Sequence, residues 1–432
     1  MKDKNVFTHN MQVNLHKKVK KVTSGLTKPE QRNLFSIILG ILLSGSCIMR
    51  QIAESLPERT SKKKTTDRLR VHLSKEYINK SLVDNFLMDE CRKIGSDDLI
   101  IVDPSDLAKK YAKKMENLTT VHDGSTGKLV NGYQVFDIVR LSQEGDKVRL
   151  HPLVSEIHGH DDAPGAMKRA LFDYLNDIIV YSNNRGIYVM DRGYDDKVVL
   201  NYLHENDAAY IIRSVGSRNL YYNGKEMNFK LVAKKAKLKY TIKSGKAVIK
   251  AGVVRVGIPV DSHHKKNATL VYSNLVVAKY INKDKYTDKD LDTGGYSYIF
   301  CNFTDREMCD YEIVTKALIS YRKRWKIEEV HRHFKQSYGW EDMRLMTFTR
   351  LQNLNVLLLI AMSFLYSLDQ YILELGELYQ RLIYDTKKIK DIPEFIYYRL
   401  SLVIKELFRD WRLQPRYKYQ GEYTKREQMA WA

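Results

Sequence analysis

Two short apolar runs, each ending in an acidic residue, constrain the fold of this chain more than any other feature. Residues 98–103 read Asp-Leu-Ile-Ile-Val-Asp, and residues 186–191 read Gly-Ile-Tyr-Val-Met-Asp. Short runs rich in β-branched and aromatic residues are typical of strands buried on both faces of a sheet. A helical pattern over residues 166–181 lies between them, and strands that alternate with helices predict an α/β fold.

Further segments extend this predicted sheet. Residues 133–141 alternate apolar and polar side chains, residues 147–155 do so less cleanly, and residues 208–214 form another apolar run. A second helix is predicted over residues 198–205. The order of strand, hairpin, helix, strand, helix and strand predicts a sheet of mixed direction, and we assign residues 93–215 to the first part of a core domain.

Residues 216–295 have a different pattern. They are rich in Lys, Val, Tyr and Thr, they alternate at period two, and they lack helical periodicity. Strands are predicted at residues 237–242, 247–256 and 269–278. This segment therefore reads as an all-β insertion. The core resumes over residues 296–347, beginning with a strand at 296–303.

Both ends of the chain read as helical. Residues 27–30, Thr-Lys-Pro-Glu, have the cap and the proline of a helix start, and residues 61–75 are rich in Lys and Arg. We interpret residues 1–92 as a small helical DNA-binding domain. An ordinary helical module with a solvated basic face is the alternative. Residues 348–432 are predicted to be a mostly helical region for DNA contact or dimerisation.

The charge balance favours a polyanionic partner. The 432 residues contain 72 Lys and Arg against 52 Asp and Glu, a formal net charge of +20, spread along the whole chain. Such an excess is typical of proteins that bind nucleic acid. The four cysteines contain no Cys-x-x-Cys pair, so neither a disulfide framework nor a zinc site is indicated, and a reducing cytosol fits.

Two apolar runs are candidates for membrane segments. Residues 35–49 are too short to span a bilayer, whereas residues 351–368 are long enough. Polar residues such as Gln352 and Asn353 interrupt the second run, so a buried core helix is the preferred interpretation. The first 14 residues carry charges but no apolar stretch, so we expect neither a signal peptide nor a membrane partner.

A charged segment over residues 321–335 carries the most specific chemistry. It contains no Gly or Pro and is predicted to be a helix. Tyr321, Arg324, Glu328 and Lys335 fall within a sector of roughly 60° of that helix. A carboxylate can hold a metal ion there, while the phenol, guanidinium and ammonium groups hold phosphate oxygens. The alternative is a solvated helix with ion pairs between successive turns.

The acids that end the two predicted strands complete this arrangement. Asp103 and Asp191 project from one edge of the sheet, which is where α/β proteins place their sites. Together with Glu328 they form a group of three carboxylates that requires neutralisation by a cation. Two Mg²⁺ ions could supply it and support phosphoryl transfer. Each aspartate could instead cap a loop, and Asp123 is the second choice for the first acid.

The spacing Tyr321-x2-Arg324-x3-Glu328-x6-Lys335 resembles the Tyr-Arg-Glu-Lys signature of bacterial insertion-sequence DDE transposases of the IS-four type. Residues 191–195, Asp-Arg-Gly-Tyr-Asp, resemble the segment of the second aspartate in that family, and residues 101–106 resemble the strand of the first. The resemblance covers nearly the whole chain. It implies an α/β, RNase H-like mixed-sheet catalytic core, interrupted by the all-β insertion and flanked by helical N-terminal and C-terminal regions.

The resemblance also implies roles for individual residues. The catalytic, metal-binding residues are Asp103, Asp191 and Glu328, with two Mg²⁺ ions for which Mn²⁺ can substitute. The implied DNA-binding residues are Tyr321, Arg324, Lys335, Arg192 and His331. Trp325 is adjacent to Arg324 but about 100° away around the helix, so we expect it to be core rather than a base-stacking residue. No residue of the insertion can be assigned to base stacking.

The implied function is cut-and-paste transposition. Such an enzyme binds the inverted repeats at the transposon ends, cleaves them through a hairpin and joins the 3′ ends to target DNA as a synaptic homodimer. It acts in the bacterial cytosol. Two alternatives remain: a non-catalytic DNA-binding protein, such as a transposition inhibitor or a domesticated transposase, and an RNase H-like nuclease.

Overall fold

The structure, a computed structural model, describes residues 4–124, 126–145, 147–260, 269–282, 295–304, 307–371 and 396–413. Parts of the predicted insertion and of the predicted C-terminal helical region lie outside these residues. Within them the chain forms a mixed α/β fold built on one large sheet of twelve strands. This agrees with the predicted fold class.

The strands of this sheet are bounded as follows: β1 Leu99–Ala108, β2 Thr119–Asp123, β3 Lys128–Glu144, β4 Lys147–His158, β5 Ile187–Met190, β6 Ala209–Arg213, β7 Asn219–Tyr222, β8 Lys225–Asn228, β9 Tyr240–Ser244, β10 Ala247–Pro259, β11 Leu270–Asn282 and β12 Tyr296–Asn302. They lie in the order β2-β3-β1-β5-β6-β12-β11-β10-β7-β8, with β4 beside β3 and β9 beside β10. Strands β1, β5 and β6 are parallel, and the other pairings are antiparallel.

The helices of the described residues are α1 Lys4–Val22, α2 Lys28–Ser44, α3 Met49–Ser55, α4 Lys62–Leu73, α5 Tyr77–Cys91, α6 Ala166–Ser182, α7 Lys197–Glu205, α8 Phe229–Ala233, α9 Asp310–Arg322, α10 Lys326–Tyr338, α11 Phe348–Ser367 and α12 Tyr397–Leu413. Helix α2 starts where the Thr cap and the proline predicted it, and it has a capping box in which the backbone N–H of Thr27 donates to Glu30 at 2.9 Å. Short 3₁₀ turns flank α10 at Lys323–Trp325 and Trp340–Asp342.

Alternate side chains of the central strands enter two different cores. Ile101 of β1 and Val189 of β5 belong to a core shared with α2, α10 and α11. Ile100 of β1 and Tyr188 of β5 belong to a second core shared with α6 and α7. Because successive side chains of a strand point to opposite faces, the sheet lies between two helical layers. The side chains that follow Ile101 and Val189 by two positions therefore face the α10 layer.

Strand β1 is longer than predicted. We expected it to end at Asp103, but it continues to Ala108 through its pairing with β3. Its parallel pairing with β5 stops at Val102 opposite Met190, so only one neighbour remains beyond that point. Pro104 is tolerated there because a strand with one unpaired edge can lack a backbone N–H donor.

The predicted helix over residues 321–335 is interrupted. The 3₁₀ turn Lys323–Trp325 separates α9 from α10. Each of these three residues turns the chain by about 120° around the helix axis, instead of the about 100° of an α-helix. Together they rotate the side chain of Tyr321 by roughly 60° relative to that of Glu328. Tyr321 consequently contacts Asp191, whereas Glu328 pairs with Arg324.

The segment predicted to be an all-β insertion contributes β7 to β11 and one short helix. Helix α8 departs from the prediction because the side chain of Asn228 caps it, accepting a hydrogen bond from the backbone N–H of Lys230 at 3.0 Å. Phe229 of α8 is fully buried in the second core, the one shared with α6 and α7. Strands β10 and β11 continue the central sheet through β12.

Helix α11 is the core of the α10 layer. It is long and apolar enough to cross a membrane, but 89% of its apolar window is buried inside the protein, as expected for a core helix. Its Asn353 side chain donates hydrogen bonds to the carbonyls of Leu73 and Lys75 at 2.8 and 2.9 Å. The N-terminal helices therefore share a core with the C-terminal part of the chain. The predicted domain boundaries remain a prediction.

Glu156 of β4 gives a test of burial on the α6 side of the sheet. Burial raises the pKa of Glu156 to about 7, although Tyr174 donates a hydrogen bond to its carboxylate at 2.9 Å and so lowers it, while Asp162 raises it. Because the folded-state pKa exceeds the ordinary value of 4.5, ionisation costs stability as the pH rises from about 4.5 through about 7.

We expect Glu156→Gln to be more stable than the wild type at pH 8 by about 1–2 kcal/mol, and to differ little at pH 4.5. The figure is discounted from the full pKa shift because the residue keeps partial exposure. Thermal unfolding at the two pH values measures the difference. An equal gain at both would contradict the assignment to ionisation.

Candidate active site

Asp103 and Asp191 occupy equivalent positions on adjacent parallel strands. The pairing of β1 with β5 ends at Val102 and Met190, and each aspartate is the next residue. Neighbouring strands lie about 4.8 Å apart, so the two acids leave the sheet side by side. Asp103 and Asp191 are two positions after Ile101 and Val189, so their side chains point to the same face of the sheet and towards α10.

The 3₁₀ turn and α10 bring the third acid to this edge through Arg324. Nη1 of Arg324 lies 2.7 Å from Oδ1 of Asp103, and Nη2 lies 3.4 Å from Oε1 of Glu328. The phenol of Tyr321 donates a hydrogen bond to Oδ1 of Asp191 at 3.1 Å. The three predicted catalytic acids and two of the predicted DNA-binding residues thus meet at one place.

The electrostatics reflect this convergence. Burial raises the pKa of Asp103 to about 6; Arg324 and His331 act against this, and Asp191 and Glu328 add to it. Burial lowers the pKa of Arg324, but its interaction with Asp103 and the neighbouring acids outweighs burial and holds the pKa above its usual value. Arg324 is therefore a permanent positive charge within a group of carboxylates.

The carboxylates of Asp103, Asp191 and Glu328 are suitable ligands for a divalent metal ion, although their present positions do not surround a metal site. Among the described residues, no group of three His, Cys, Asp or Glu side chains stands in position to hold a metal ion. The reason is visible in the contacts: Arg324 engages Asp103 and Glu328, and Tyr321 engages Asp191. Carboxylate oxygens are nonetheless the ligands that Mg²⁺ prefers, and the side chain of Glu328 is 54% exposed and can turn.

The other predicted DNA-binding residues surround this group. Lys335 points along β1 rather than at the acids, and its Nζ donates to the carbonyl of Asp106 at 2.8 Å and lies 3.2 Å from Glu341. Arg192 is exposed directly after Asp191. Both lie beside the acidic group.

His331 leads to an acid that the sequence analysis missed. Its Nε2 lies 2.9 Å from Oδ2 of Asp137, but the atoms are not aligned as a hydrogen bond, and neither bonds to any other described residue. Asp137 is opposite Asp103 in the pairing of β1 with β3 and is only 3% exposed. A fourth carboxylate therefore lies beside the predicted three.

The sequence did contain a signal for Asp137. In β3 the alternate residues on its face are Tyr133, Val135, Val139 and Leu141, all buried and apolar. An aspartate in the middle of such a face lacks a structural reason unless a cation or a partner meets it. Tyr194 was also missed; burial together with Asp103, Asp137 and Asp191 raises its pKa, which places its phenol near the acids.

Two further predictions concern Asp123 and Trp325. Asp123 ends β2, and its carboxylate lies 2.9 Å from Nζ of Lys110. Lys110 follows the end of β1 and is seven positions from Asp103, so Asp123 contacts a residue outside the acidic group. Trp325 is half-buried rather than fully in the core, and Nζ of Lys326 lies 4.3 Å from its ring centre.

The part of the chain that contains Asp191 and Glu328 matches a known family. Residues 156–364 match the transposase DDE domain. The match supports a DDE transposase, an enzyme class that acts on DNA with divalent metal. Its range begins after β1 and so does not include Asp103.

No curated protein matches the chain. Among solved structures, a similar one is the cryo-EM structure of a piggyBac transposase synaptic complex with hairpin DNA, at 9% sequence identity and a TM-score of 0.39. The similarity covers 95% of this chain and 77% of that one. A likeness at this level does not bear on the function.

Proposed function

We propose that this protein is a cut-and-paste DNA transposase of the IS-four type with the Tyr-Arg-Glu-Lys signature. It binds the inverted repeats at the ends of its element, cleaves them through a hairpin and joins the 3′ ends to target DNA. Its partners are these two kinds of double-stranded DNA and a second copy of the chain in the synaptic complex. The reaction takes place in the bacterial cytosol.

The observation that carries the proposal is the meeting of Asp103, Asp191 and Glu328 at one sheet edge, held by Arg324 and Tyr321. These five residues come from three distant parts of the sequence. A solvated charged helix would have no reason to place its arginine and tyrosine on two strand-end acids, one of which is buried. The match of residues 156–364 to the DDE domain supports the same conclusion independently.

An RNase H-like core with an insertion is part of the proposal. Strands β4, β3 and β1 form an antiparallel meander, and β5 and β6 continue it in parallel with β1. Strands β7 to β11 lie between β6 and β12 in sequence, whereas β6 and β12 pair directly in the sheet. That arrangement is what an insertion between two adjacent core strands would produce.

The three acids would hold two Mg²⁺ ions, for which Mn²⁺ can substitute. When bound, these ions activate the attacking oxygen and stabilise the leaving one. In the present structure Arg324 balances the charge of Asp103 and Glu328. Freed of that role, its guanidinium can hold a phosphate through two parallel hydrogen bonds.

The other DNA-binding residues hold the strand on either side of the acids. Lys335 of α10 reaches β1 at the carbonyl of Asp106, three residues beyond Asp103, and Arg192 lies beside Asp191 on the exposed surface. The phenol of Tyr321 keeps Asp191 oriented and can donate to a phosphate oxygen. Arg324, Lys335 and Arg192 together supply three positive charges. Such a group suits a DNA hairpin, whose crowded phosphates need neutralisation.

A transfer assay tests the function. The substrate is a linear DNA bearing the inverted repeats that flank the gene, incubated with Mg²⁺ and a circular target. The proposal expects nicked, excised and joined products in that order. Binding without cleavage would identify a non-catalytic DNA-binding protein, and cleavage without joining would identify a nuclease; either result overturns the proposal.

Binding to end DNA is expected to depend strongly on salt. A chain of net charge +20 that meets six or more phosphates should lose about a thousandfold or more in affinity between 50 and 200 mM salt, because it releases counterions from the DNA. Titration of a fluorescent end duplex at four salt concentrations measures the slope. A change smaller than about tenfold would mean that the basic surface is merely solvated.

A further inference from the structure

A cleft of about 920 Å³ lies at the end of β1, beyond the acidic group. One wall is the segment 108–115, which follows β1 and carries the sequence Lys-Lys-Tyr-Ala-Lys-Lys at residues 109–114. The other wall follows α10 and consists of Glu341, Asp342, Met343, Arg344 and Met346. The proposed function uses none of these residues.

The two walls are fixed to each other by Lys109. Its buried Nζ donates hydrogen bonds to the carbonyls of Trp340, Glu341 and Met343 at 3.3, 2.6 and 3.0 Å. This lysine is therefore structural and is not available to a ligand. Lys335 makes a second connection between the same parts, through the carbonyl of Asp106 and the carboxylate of Glu341. The cleft is thus a preformed extension of the site.

The open side of the cleft is cationic. Against one exposed acid of the lining, Asp342, three cations are exposed and make no ion pair with a residue that the structure describes: Lys113, Lys114 and Arg344. Lys110 is partly exposed and paired with Asp123. Three uncommitted positive charges around a cleft favour a chain of phosphates over a neutral ligand.

Tyr111 stands in the middle of these cations. Its side chain is 93% exposed, which makes it the most exposed large apolar side chain among the described residues. Aromatic side chains placed between cations are typical of surfaces that bind single-stranded nucleic acid, because bases stack on the ring while phosphates meet the charges. Paired bases hide their faces within the duplex, so the ring suits an unpaired base.

The distance along β1 places this cleft relative to the cleavage site. Lys109 follows Asp103 by six positions, which is about 20 Å of extended strand. A DNA strand with the duplex rise of about 3.4 Å per nucleotide would cover that distance in about six nucleotides, and a more extended single strand would cover it in fewer.

We propose that this cleft binds a single-stranded segment of DNA, whose phosphates meet Lys113, Lys114 and Arg344 and one of whose bases stacks on Tyr111. The segment is the DNA strand that continues from the bond cut at Asp103. Only the identity of this strand, as the one that is cut at the acids, rests on the proposed function.

Binding of tailed duplexes to the full-length protein tests the cleft. The probe is a duplex with a single-stranded tail of about ten nucleotides that carries 2-aminopurine at one tail position at a time. Wild-type protein is expected to prefer the tailed duplex over a blunt one and to change the fluorescence at one tail position. Tyr111→Ala should lose both effects, with about tenfold weaker tail binding, and Tyr111→Phe should keep them.

Matched variants separate stacking from charge. Lys113→Ala should weaken tail binding for every tail sequence and reduce the salt slope by about one, without moving the fluorescent position. Tyr311→Ala removes a tyrosine that is 49% exposed on α9 and should behave as wild type. The proposal would be overturned if Tyr111→Ala bound the tail as well as the wild type. It would also be overturned if Tyr311→Ala lost as much tail binding as Tyr111→Ala.

The outcomes also separate this inference from the proposed function. Tail binding through Tyr111 by a protein that never cuts DNA would keep the cleft and overturn the transposase. Normal cutting and joining, with tail binding unaffected by Tyr111→Ala, would overturn the cleft alone.

Discussion

Asp103→Asn, Asp191→Asn and Glu328→Gln are each expected to reduce nicking of end DNA by at least about a thousandfold, because each removes a charged ligand from the proposed metal site. End-DNA affinity should stay within about threefold of the wild type, since all three acids face the sheet edge and none supplies the positive charge that binds phosphates. Timed reactions on denaturing gels and binding titrations without metal measure the two effects.

Asp123→Asn is the matched control for this series. Asp123 is also a buried strand-end aspartate with a cationic partner, but that partner is Lys110. It should nick at a rate close to the wild type. Near-normal nicking by Asp103→Asn together with loss in Asp123→Asn would transfer the role of first acid from β1 to β2.

Lys335→Ala is expected to nick end DNA at about the wild-type rate but to form the hairpin about 10- to 100-fold more slowly. The lysine contacts no acid of the triad, whereas hairpin formation crowds phosphates that a charged hydrogen-bond donor would stabilise by about 1.5–3 kcal/mol. Nicked DNA should therefore accumulate. The hairpin is measured on denaturing gels as a strand of double length.

Arg324→Ala should show the same block with an additional loss of nicking, because Arg324 also touches Asp103 and Glu328. Arg332→Ala is the control on the adjoining helix α10, since Arg332 pairs only with Glu329 at 2.7 Å among the described contacts. If the wild-type protein excises the element without a hairpin at any time, even when hairpin reopening is blocked, the hairpin step is wrong.

Sequence patterns predicted the succession of strands and helices along the chain and the grouping of Asp103, Asp191 and Glu328, because strand parity and helix periodicity are local properties. They did not predict that Arg324 would turn inward to Asp103, which depends on a 3₁₀ turn that no Gly or Pro announces. Asp137 was missed for a different reason. Its significance depends on the register of β3 against β1, which the hydrophobic pattern of one strand does not specify.

The contact between Arg324 and Asp103 joins residues 221 positions apart. Asn353 must likewise be present before its side chain can bond the carbonyls of Leu73 and Lys75 at the end of α4. On a ribosome that adds roughly 5–20 residues per second, a chain reaches the end of α11 only after roughly 20–70 s. Before residue 324 is added the acids have no arginine, and before α11 is added the N-terminal helices lack their supporting helix. The order of synthesis therefore limits when these parts can form: a chain cut short before Arg324 can complete neither the acidic site nor the N-terminal core.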